Sequence, residues 1–321
     1  GVGINALGSV VHGDMNGVQI TGLANLAGGT MRGVQLAGIS NISGNNTVGL
    51  SAAGLVNITG DRTQGVIISG LTSIGGDNTS GLMISGFMNV TGNMASGLHF
   101  SGAANITGQS FGGLMASGLL NVVGEHMNGL QIAGIANITA SKLNGVQIAL
   151  CNYVTQARGL QIGLVNYYKE DMKGFQLGLV NANPDTRVQM MVYGGNATPV
   201  NIGVRFKNQL FYTILGVGSM YQGLNDKFSA SASYRAGLSF PLYKGLSISG
   251  DLGYQHIEAF DNKDEVIPKR LYALQARANL EYQFTRKFGI FATGGYGLTR
   301  FYNKSSNYDK GAIIEAGIVL F

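Results

Sequence analysis

Residues 81–96 read GLMISGFMNVTGNMAS, and residues 97–112 read GLHFSGAANITGQSFG. Both 16-residue blocks open with glycine, carry a second glycine at position 6 and an asparagine at position 9. The same period starts at Gly1 and continues for nine copies, the last of which opens at Gly129. A short fixed period is typical of a solenoid, in which each unit is too small to bury its own apolar face and stacks on its neighbours. The period alone leaves open whether one coil contains 16 or 32 residues.

Each block is predicted to contain two short strands separated by a bend. Positions 2 and 4 are apolar while position 3 varies, as in Val34 and Leu36 around Gln35, and this alternation predicts a strand. Glycine at position 6 predicts a bend that needs positive φ or a close approach of backbones. A second strand has apolar residues at positions 7 and 10, and the four residues after position 12 vary as an exposed loop would. The pattern therefore predicts a core made of residues such as Ile84 and Ile132, with position 3 exposed.

An asparagine recurs at position 9 of the blocks, with Ser73 as the one internal substitution. Stacked coils bring identical positions to about 4.8 Å from each other, so these side chains are expected to form a ladder. Amides in register can bond to each other and to the bend backbone. We interpret the ladder as structural, in preference to an array that binds a ligand or ice. Its members are Asn25, Asn41, Asn57, Asn89, Asn105, Asn121 and Asn137.

After Asn144 the unit shortens to 14, 15 and 14 residues. These units begin GVQIALCNY at Gly145, GLQIGLVNYY at Gly159 and GFQLGLVNA at Gly174. Here the chain resembles the GLQIGLVN surface-repeat proteins of leptospires and Bacteroidota, over residues 1–187. The resemblance implies a location in the cell envelope. It brings no established activity, and so it assigns no catalytic residue.

From residue 188 the pattern changes to long strands with strict alternation. In residues 270–284 the even-numbered residues from Tyr272 are apolar or aromatic, while the odd-numbered residues from Gln275 are polar. Strands of this length with aromatic ends are typical of transmembrane β-barrels. The predicted fold is all-β, with a β-solenoid over 1–187 and an eight-stranded antiparallel transmembrane β-barrel over 188–321. The predicted barrel strands are 188–194, 199–207, 209–221, 227–240, 245–258, 270–284, 287–301 and 310–321.

The connections between these strands are predicted to alternate in length. The short ones are 207–209, 241–245 and 285–287, and the longer ones are 222–226, 259–269 and 302–309. Outer-membrane barrels have short periplasmic turns, and an even number of strands returns the chain to the side on which it began. Parity therefore predicts a periplasmic solenoid. The resemblance to surface-repeat proteins keeps the cell surface as the alternative.

The predicted barrel interior carries charged residues. Eight strands leave no channel, because the interior is just wide enough for side chains to fill it. Charges in so narrow a space are expected to pair, since unpaired ones would be costly. We interpret them as a structural plug of salt bridges rather than a path for protons or ions. The inward residues are Arg205, Arg235 and Arg277 against Asp251, Glu281 and Glu315.

His256 and Glu258 are the candidates for catalysis. They share a face near the outer end of the fifth predicted barrel strand, and Ser305 and Ser306 follow in an outer loop. A lipid hydrolase or acyltransferase would need a histidine, an activated serine and a positioning acid. The other histidines occupy different repeat positions, which does not favour a metal cluster. Cys151 is the single cysteine and is expected to be a small buried residue.

Composition limits the function classes. Charged residues make up 12 % of the chain and glycine 51 of 321 residues, which is typical neither of disorder nor of a cytosolic enzyme. No run of apolar residues is long enough for a transmembrane helix. The net charge of +5 is spread without Lys/Arg blocks, so nucleic acid is not indicated as a partner.

Together these patterns predict a non-enzymatic protein of the Gram-negative outer membrane. A structural or binding solenoid would be anchored by a closed barrel, as a subunit of an envelope complex. Outer-membrane lipid and other envelope proteins are the predicted partners, and no cofactor is predicted. The alternative is a small outer-membrane lipid hydrolase or acyltransferase that uses His256.

Overall fold

The computed structural model describes residues 1–221, 224, 228–260, 270–303 and 306–321. Its regular structure consists of β-strands, and among the described residues no helix is long and apolar enough to cross a membrane. The strands form two compact units, residues 1–178 and residues 179–321. The predicted all-β fold, a solenoid followed by a closed eight-stranded antiparallel barrel, is confirmed.

The solenoid strands pair in parallel with a register of one repeat. Val2 pairs with Val18, and Gly17 pairs with Gly33, so one coil contains 16 residues and the solenoid has about eleven turns. The strands of this sheet are β1 (Val2–Asn5), β2 (Gly8–Val11), β3 (Met15–Thr21), β4 (Ala24–Ala27), β5 (Met31–Ala37), β6 (Ser40–Ser43), β7 (Thr47–Ala53), β8 (Val56–Thr59), β9 (Thr63–Ser69), β10 (Thr72–Gly75), β11 (Thr79–Ser85), β12 (Met88–Thr91), β13 (Ala95–Ser101), β14 (Ala104–Thr107), β15 (Ser110–Ser117), β16 (Leu120–Val123), β17 (His126–Ala133), β18 (Ala136–Ile148), β19 (Cys151–Ile162), β20 (Val165–Leu177) and β21 (Val180–Ala182).

The side chains inside the solenoid are those at positions 3, 5, 9, 11 and 15. Gln35 at position 3 is fully buried, whereas Ile84 and Ile132 at position 4 are 37 % and 38 % exposed. The prediction that positions 2 and 4 face the core was therefore wrong, and so was the exposed loop at position 15, where Met31 is buried. Alternation separates the two faces of a strand without saying which is inside, and here the inner face is largely polar.

Cys151 is exposed, so the prediction that it is buried was also wrong. It pairs in register with Ala136 and Val165, at the position that precedes the inward asparagine of each coil. Because neighbouring residues of a strand point to opposite faces, burial of Asn152 turns the cysteine outward.

Three glycines in most 16-residue coils, at positions 1, 6 and 12, lie against the backbone of the coil before. Gly33 at position 1 has a φ of +126°, and a Cβ on it would lie 2.0 Å from the Gly17 carbonyl oxygen. At position 6, a Cβ on Gly38 would lie 2.1 Å from the Gly22 carbonyl oxygen. Real Cβ contacts are never this short, so any larger residue would force adjacent coils apart.

The barrel closes because its first strand pairs with both its second and its last strand, and all its pairs are antiparallel. The predicted number of eight strands is confirmed. The longer connections predicted at 222–226 and 259–269 lie largely outside the described residues, and so do residues 304–305 of the one predicted at 302–309. The last strand begins at Asn307, earlier than the predicted residue 310. The barrel strands are β22 (Arg187–Gly195), β23 (Val200–Asn208), β24 (Phe211–Ser219), β25 (Ser229–Tyr243), β26 (Leu246–Ala259), β27 (Arg270–Thr285), β28 (Phe288–Phe301) and β29 (Asn307–Leu320).

A buried and an exposed methionine test which side chains lie inside the solenoid. Met83 on β11 is buried, whereas Met94, just before β13, is 51 % exposed. Met83→Asp should lower the free energy of unfolding by about 3 kcal/mol or more, because it places an unpaired carboxylate in the interior. Met94→Asp, the matched control at an exposed turn, should cost about 1 kcal/mol or less. Chemical denaturation of the full chain in mild detergent, followed by circular dichroism, measures both. Equal losses would contradict the observed faces.

Candidate functional site

The asparagine ladder expected at position 9 is present as a chain of hydrogen bonds along the solenoid axis. The Asn25 side-chain amide donates to Asn41 Oδ1 at 2.8 Å and to the Leu36 carbonyl oxygen at 2.9 Å. Each amide thus joins two coils and satisfies a main-chain carbonyl at the bend. The seven predicted ladder residues are at most 3 % exposed, so they present no surface to a ligand.

Serine hydroxyls bridge the ladder where asparagine is replaced at position 9. Asn57 Nδ2 donates to Ser69 Oγ at 2.8 Å, and Ser69 and Ser73 hydroxyls lie 2.7 Å apart. On the other side, Ser85 Oγ lies 2.9 Å from Ser73 Oγ and donates to Asn89 Oδ1 at 2.6 Å. The hydrogen-bonded chain therefore continues across the substitution.

A second ladder, of glutamines at position 3, was missed in the sequence. Gln35 Nε2 donates to Gln19 Oε1 at 2.9 Å, and Gln147 Nε2 donates to Gln131 Oε1 at 2.8 Å. Variation between glutamine and methionine at this position looked like surface variation. The recurrence of the same amide at six of these positions was the available signal, because an exposed site has no reason to retain one long polar side chain.

His99 lies in the solenoid interior, between Met83 and Met115 in register. Its ring meets the ring of Phe111 edge-on at a centroid distance of 4.9 Å, and its Nε2 is a buried nitrogen without a hydrogen-bond partner among the described residues. Burial lowers the pKa of His99 to about 4. The ring is therefore neutral near pH 7. In the described part of the chain, no group of three His, Cys, Asp or Glu side chains is placed to hold a metal ion.

The interior of the barrel contains the charge pairs expected from the sequence. Three close pairs are Arg205–Glu281, Arg235–Asp251 and Arg277–Glu315, and Arg235 Nη1 also lies 3.7 Å from Glu315 Oε2. Arg235 binds Asp251 through two hydrogen bonds of 2.8 Å, and Arg277 binds Glu315 through two of 3.1 Å. All six residues are at most 8 % exposed. The bidentate geometry offsets part of the cost of removing these charges from water.

Neutral side chains complete the hydrogen bonding of this plug. Asp251 Oδ2 also accepts from the Tyr212 hydroxyl and from Asn279 Nδ2, each at 2.8 Å. Gln189 Oε1 accepts from Arg205 Nε at 3.0 Å. Asp251 thus accepts from side chains of β24, β25 and β27, and the other two pairs also join different strands, so the network cross-links the barrel wall. This arrangement is consistent with a structural plug.

His256 and Glu258 share the outer face of β26, as the sequence predicted. His256 Nδ1 lies 2.6 Å from the Tyr302 hydroxyl, and its Nε2 lies 3.3 Å from Glu258 Oε2. Arg270 Nε binds Glu258 at 3.1 Å. Among the described residues the hydroxyl in contact with His256 is thus a phenol, and Ser305 lies outside them. His256 therefore bridges a phenol and a carboxylate, and among the described residues no serine hydroxyl is hydrogen-bonded to it. The alternative of a lipid hydrolase or acyltransferase that uses His256 stays a prediction.

Charge on the solenoid is confined to the segment that leads from the second strand of one coil to the first strand of the next. We call the outward side chains of this segment, at positions 12–14 and 16, the charged edge. It bears two open clefts, one of about 440 Å³ beside His126 and Lys142 and one of about 530 Å³ beside Arg62. All Asp, Glu, Lys and Arg residues of unit 1–178 lie on it, namely Asp14, Arg32, Asp61, Arg62, Asp77, Glu125, Lys142, Arg158, Lys169, Glu170, Asp171 and Lys173.

No protein-family model matches this chain, and a comparison with curated proteins finds no match. The resemblance to GLQIGLVN surface-repeat proteins therefore stays a prediction, carried by the motifs between Gly145 and Ala182.

The neutral, buried His99 makes stability depend on pH. Between pH 6.5 and pH 4 the unfolded chain binds a proton at this ring that the folded chain does not, so folding stability falls as the pH is lowered. His99→Met, which copies the neighbouring coils, should recover about 2 kcal/mol of this loss at pH 5. Unfolding by denaturant at pH 7.5 and pH 5 measures this loss of folding free energy. His12→Met, at an exposed site, is the control and should keep the wild-type dependence. If the free energy of unfolding fell equally for wild type and His99→Met between pH 7.5 and pH 5, the low pKa of His99 would be refuted.

Proposed function

We propose that this chain is a non-enzymatic outer-membrane protein, in which a closed eight-stranded barrel anchors a structural or binding solenoid that serves in an envelope complex. The observation that carries the proposal is the polarity of the barrel. Its inward side chains are charged and paired, and its outward side chains are apolar. A barrel dissolved in water would carry the opposite pattern.

The outward residues of the central strands illustrate this polarity. On β26, Leu252 is 71 % exposed, while its neighbour Asp251 is buried. On β27, Leu274 and Leu280 are exposed, while Glu281 is buried. Because β22 also pairs with β29, the wall has no unpaired edge, as a lipid environment requires. An apolar wall without an edge is suited to hydrocarbon.

Aromatic side chains lie on the outer surface at both ends of the barrel. At the end with short turns, the Tyr282 ring lies 4.9 Å from that of Phe284, which lies 5.8 Å from that of Phe288. At the opposite end, the rings of Tyr254 and Tyr272 stack at 6.1 Å. Aromatic girdles at the two interfaces are typical of membrane barrels. Their positions support a membrane that covers the apolar band between them.

Strand parity supports a periplasmic position for the solenoid. The barrel begins at Arg187 and ends at Leu320, and eight antiparallel strands bring both residues to one end. The short connections after Asn208, Tyr243 and Thr285 lie at this same end. In outer-membrane barrels the short turns are periplasmic. We therefore expect the solenoid, which precedes Arg187, on the periplasmic side.

An arginine placed at mid-height on the barrel wall tests membrane insertion. Leu252→Arg should destabilise the full chain in lipid vesicles by about 2–4 kcal/mol, because it carries a charge into hydrocarbon. Leu242→Arg, near the short-turn end, should cost about 1 kcal/mol or less. Denaturant titration of vesicle-refolded protein measures the difference. If both substitutions cost the same small amount, the middle of this wall does not lie in lipid.

Cysteine labelling on intact cells tests the orientation. Asp61→Cys in a Cys151→Ala background places a thiol on the charged edge, and Asn303→Cys places one at the end of the barrel opposite the short turns. A membrane-impermeant maleimide should label the second variant on intact cells and the first only after permeabilisation of the outer membrane. Labelling of Asp61→Cys on intact cells would place the solenoid on the surface and overturn the orientation.

A further inference from the structure

The outer surface of the solenoid has two apolar walls that meet at a ridge. Positions 2 and 4 point outward from one wall, and positions 8 and 10 point outward from the other. Position 7 forms the ridge between them, where Leu55, Leu71 and Phe87 are all about half exposed. We call these outward side chains the apolar wedge. None of the charged residues of the unit lies on it, because all of them lie on the charged edge.

The apolar wedge is large. Each wall extends for about eleven coils, which is roughly 50 Å at about 4.8 Å per coil. Four residues of extended chain make each wall roughly 13 Å wide. Two such walls exceed the roughly 300–600 Å² of the largest apolar patch on a typical soluble monomer. A surface of this size is expected to be covered.

The backbone of the solenoid walls is hydrogen-bonded without help from water outside them. The amide ladders at positions 3 and 9 pair many of the polar side chains inside, as in the bond from Gln161 Nε2 to Gln147 Oε1 at 2.9 Å. The wall strands donate and accept along the axis through the parallel register, for example between Leu82 and Val66. Hydrocarbon tolerates only backbone that is paired in this way. Both walls meet that condition between the first and last coils.

We propose that the apolar wedge binds membrane lipid, with its ridge in the hydrocarbon of one leaflet and the charged edge at the headgroups. The inference rests on the proposed membrane anchorage of the barrel, since the chain passes from β21 to β22 through only four residues. The width of each wall, roughly 13 Å, matches the half-thickness of a hydrocarbon core of about 30 Å. The solenoid is then an amphipathic element that lies in the leaflet, as an interfacial helix does.

Fluid lipid fits this surface better than a second copy of the chain or a rigid protein partner. The two walls face different directions, so a flat partner would cover one and leave the other in water. Lipid tails can cover both walls and the ridge at once. The wedge itself also lacks the charged residues through which protein interfaces set their register.

Fluorescence quenching on the full chain tests the proposal. Three single-cysteine variants in the Cys151→Ala background carry a nitrobenzoxadiazole label: Leu71→Cys on the ridge, Asp61→Cys on the charged edge and Leu252→Cys on the barrel wall. Alanine at residue 151 matches Ala136 in the adjacent coil. The proteins are refolded into phosphatidylcholine vesicles, and quenching by doxyl-labelled lipid is compared with quenching by iodide in the water. Doxyl lipid should quench the Leu71 and Leu252 labels several-fold more than the Asp61 label, and iodide should show the reverse order.

Each other outcome contradicts the proposal in a distinct way. Iodide quenching at Leu71 as strong as at Asp61 would place the wedge in water. A Leu71 label protected from both quenchers would show that protein, in this preparation a second copy, covers the ridge. Doxyl quenching at Leu252 but not at Leu71 would refute the wedge and leave the barrel anchor intact. Absence of doxyl quenching at both sites would refute the anchor as well.

Discussion

In-register stacking of the coils is the constraint on which the solenoid depends. Gly38 N donates to the Thr21 carbonyl at 3.3 Å, and equivalent bonds repeat at the bends of successive coils. Each interior side chain therefore meets the residue at the same position of the next coil. An amide is well suited to this because it both donates and accepts, so Asn25 can bond Asn41, which can bond Asn57. A carboxylate or an ammonium group repeated at one position would lie next to the same charge in the adjacent coil. This repulsion explains why charges are excluded from the stacked interior.

The barrel follows a different rule because its neighbouring strands are antiparallel. Residues that face each other there are different, so opposite charges can meet inside. Arg235 on β25 lies beside Asp251 on β26, while Arg205 on β23 reaches Glu281 on β27. Both units place polar groups inside. The solenoid satisfies them with identical neighbours, and the barrel satisfies them with complementary ones.

Periodicity and alternation predicted the two folds, the number of barrel strands, the position-9 ladder and the inward charges. They did not predict the inner face of the coil. The sequence contained the necessary constraint, since positions 9 and 10 are adjacent and cannot both point inward. Burial of Asn57 requires Ile58 to face outward, whereas the prediction assumed that the apolar face, represented by Ile84 and Ile132, was the core. The partner of each barrel charge depends on strand register and on reach across the interior, which one sequence does not supply.

Both units have polar side chains inside and apolar side chains outside. Substitutions therefore fall into two groups, those that probe the fold and those that probe the surrounding medium. At Gly33 or Gly38 any side chain collides with the neighbouring backbone, so its effect is the same in water, detergent or lipid. The interior amides and ion pairs behave similarly, because they are screened from whatever lies outside. Outward positions such as Leu71 and Leu252 touch little within the protein, so the free energy of a polar substitution there is set by the surrounding medium. A solenoid with stacked amides inside and uncharged apolar walls outside therefore meets the surrounding medium through its outer surface, and substitutions there are the ones that distinguish hydrocarbon from water.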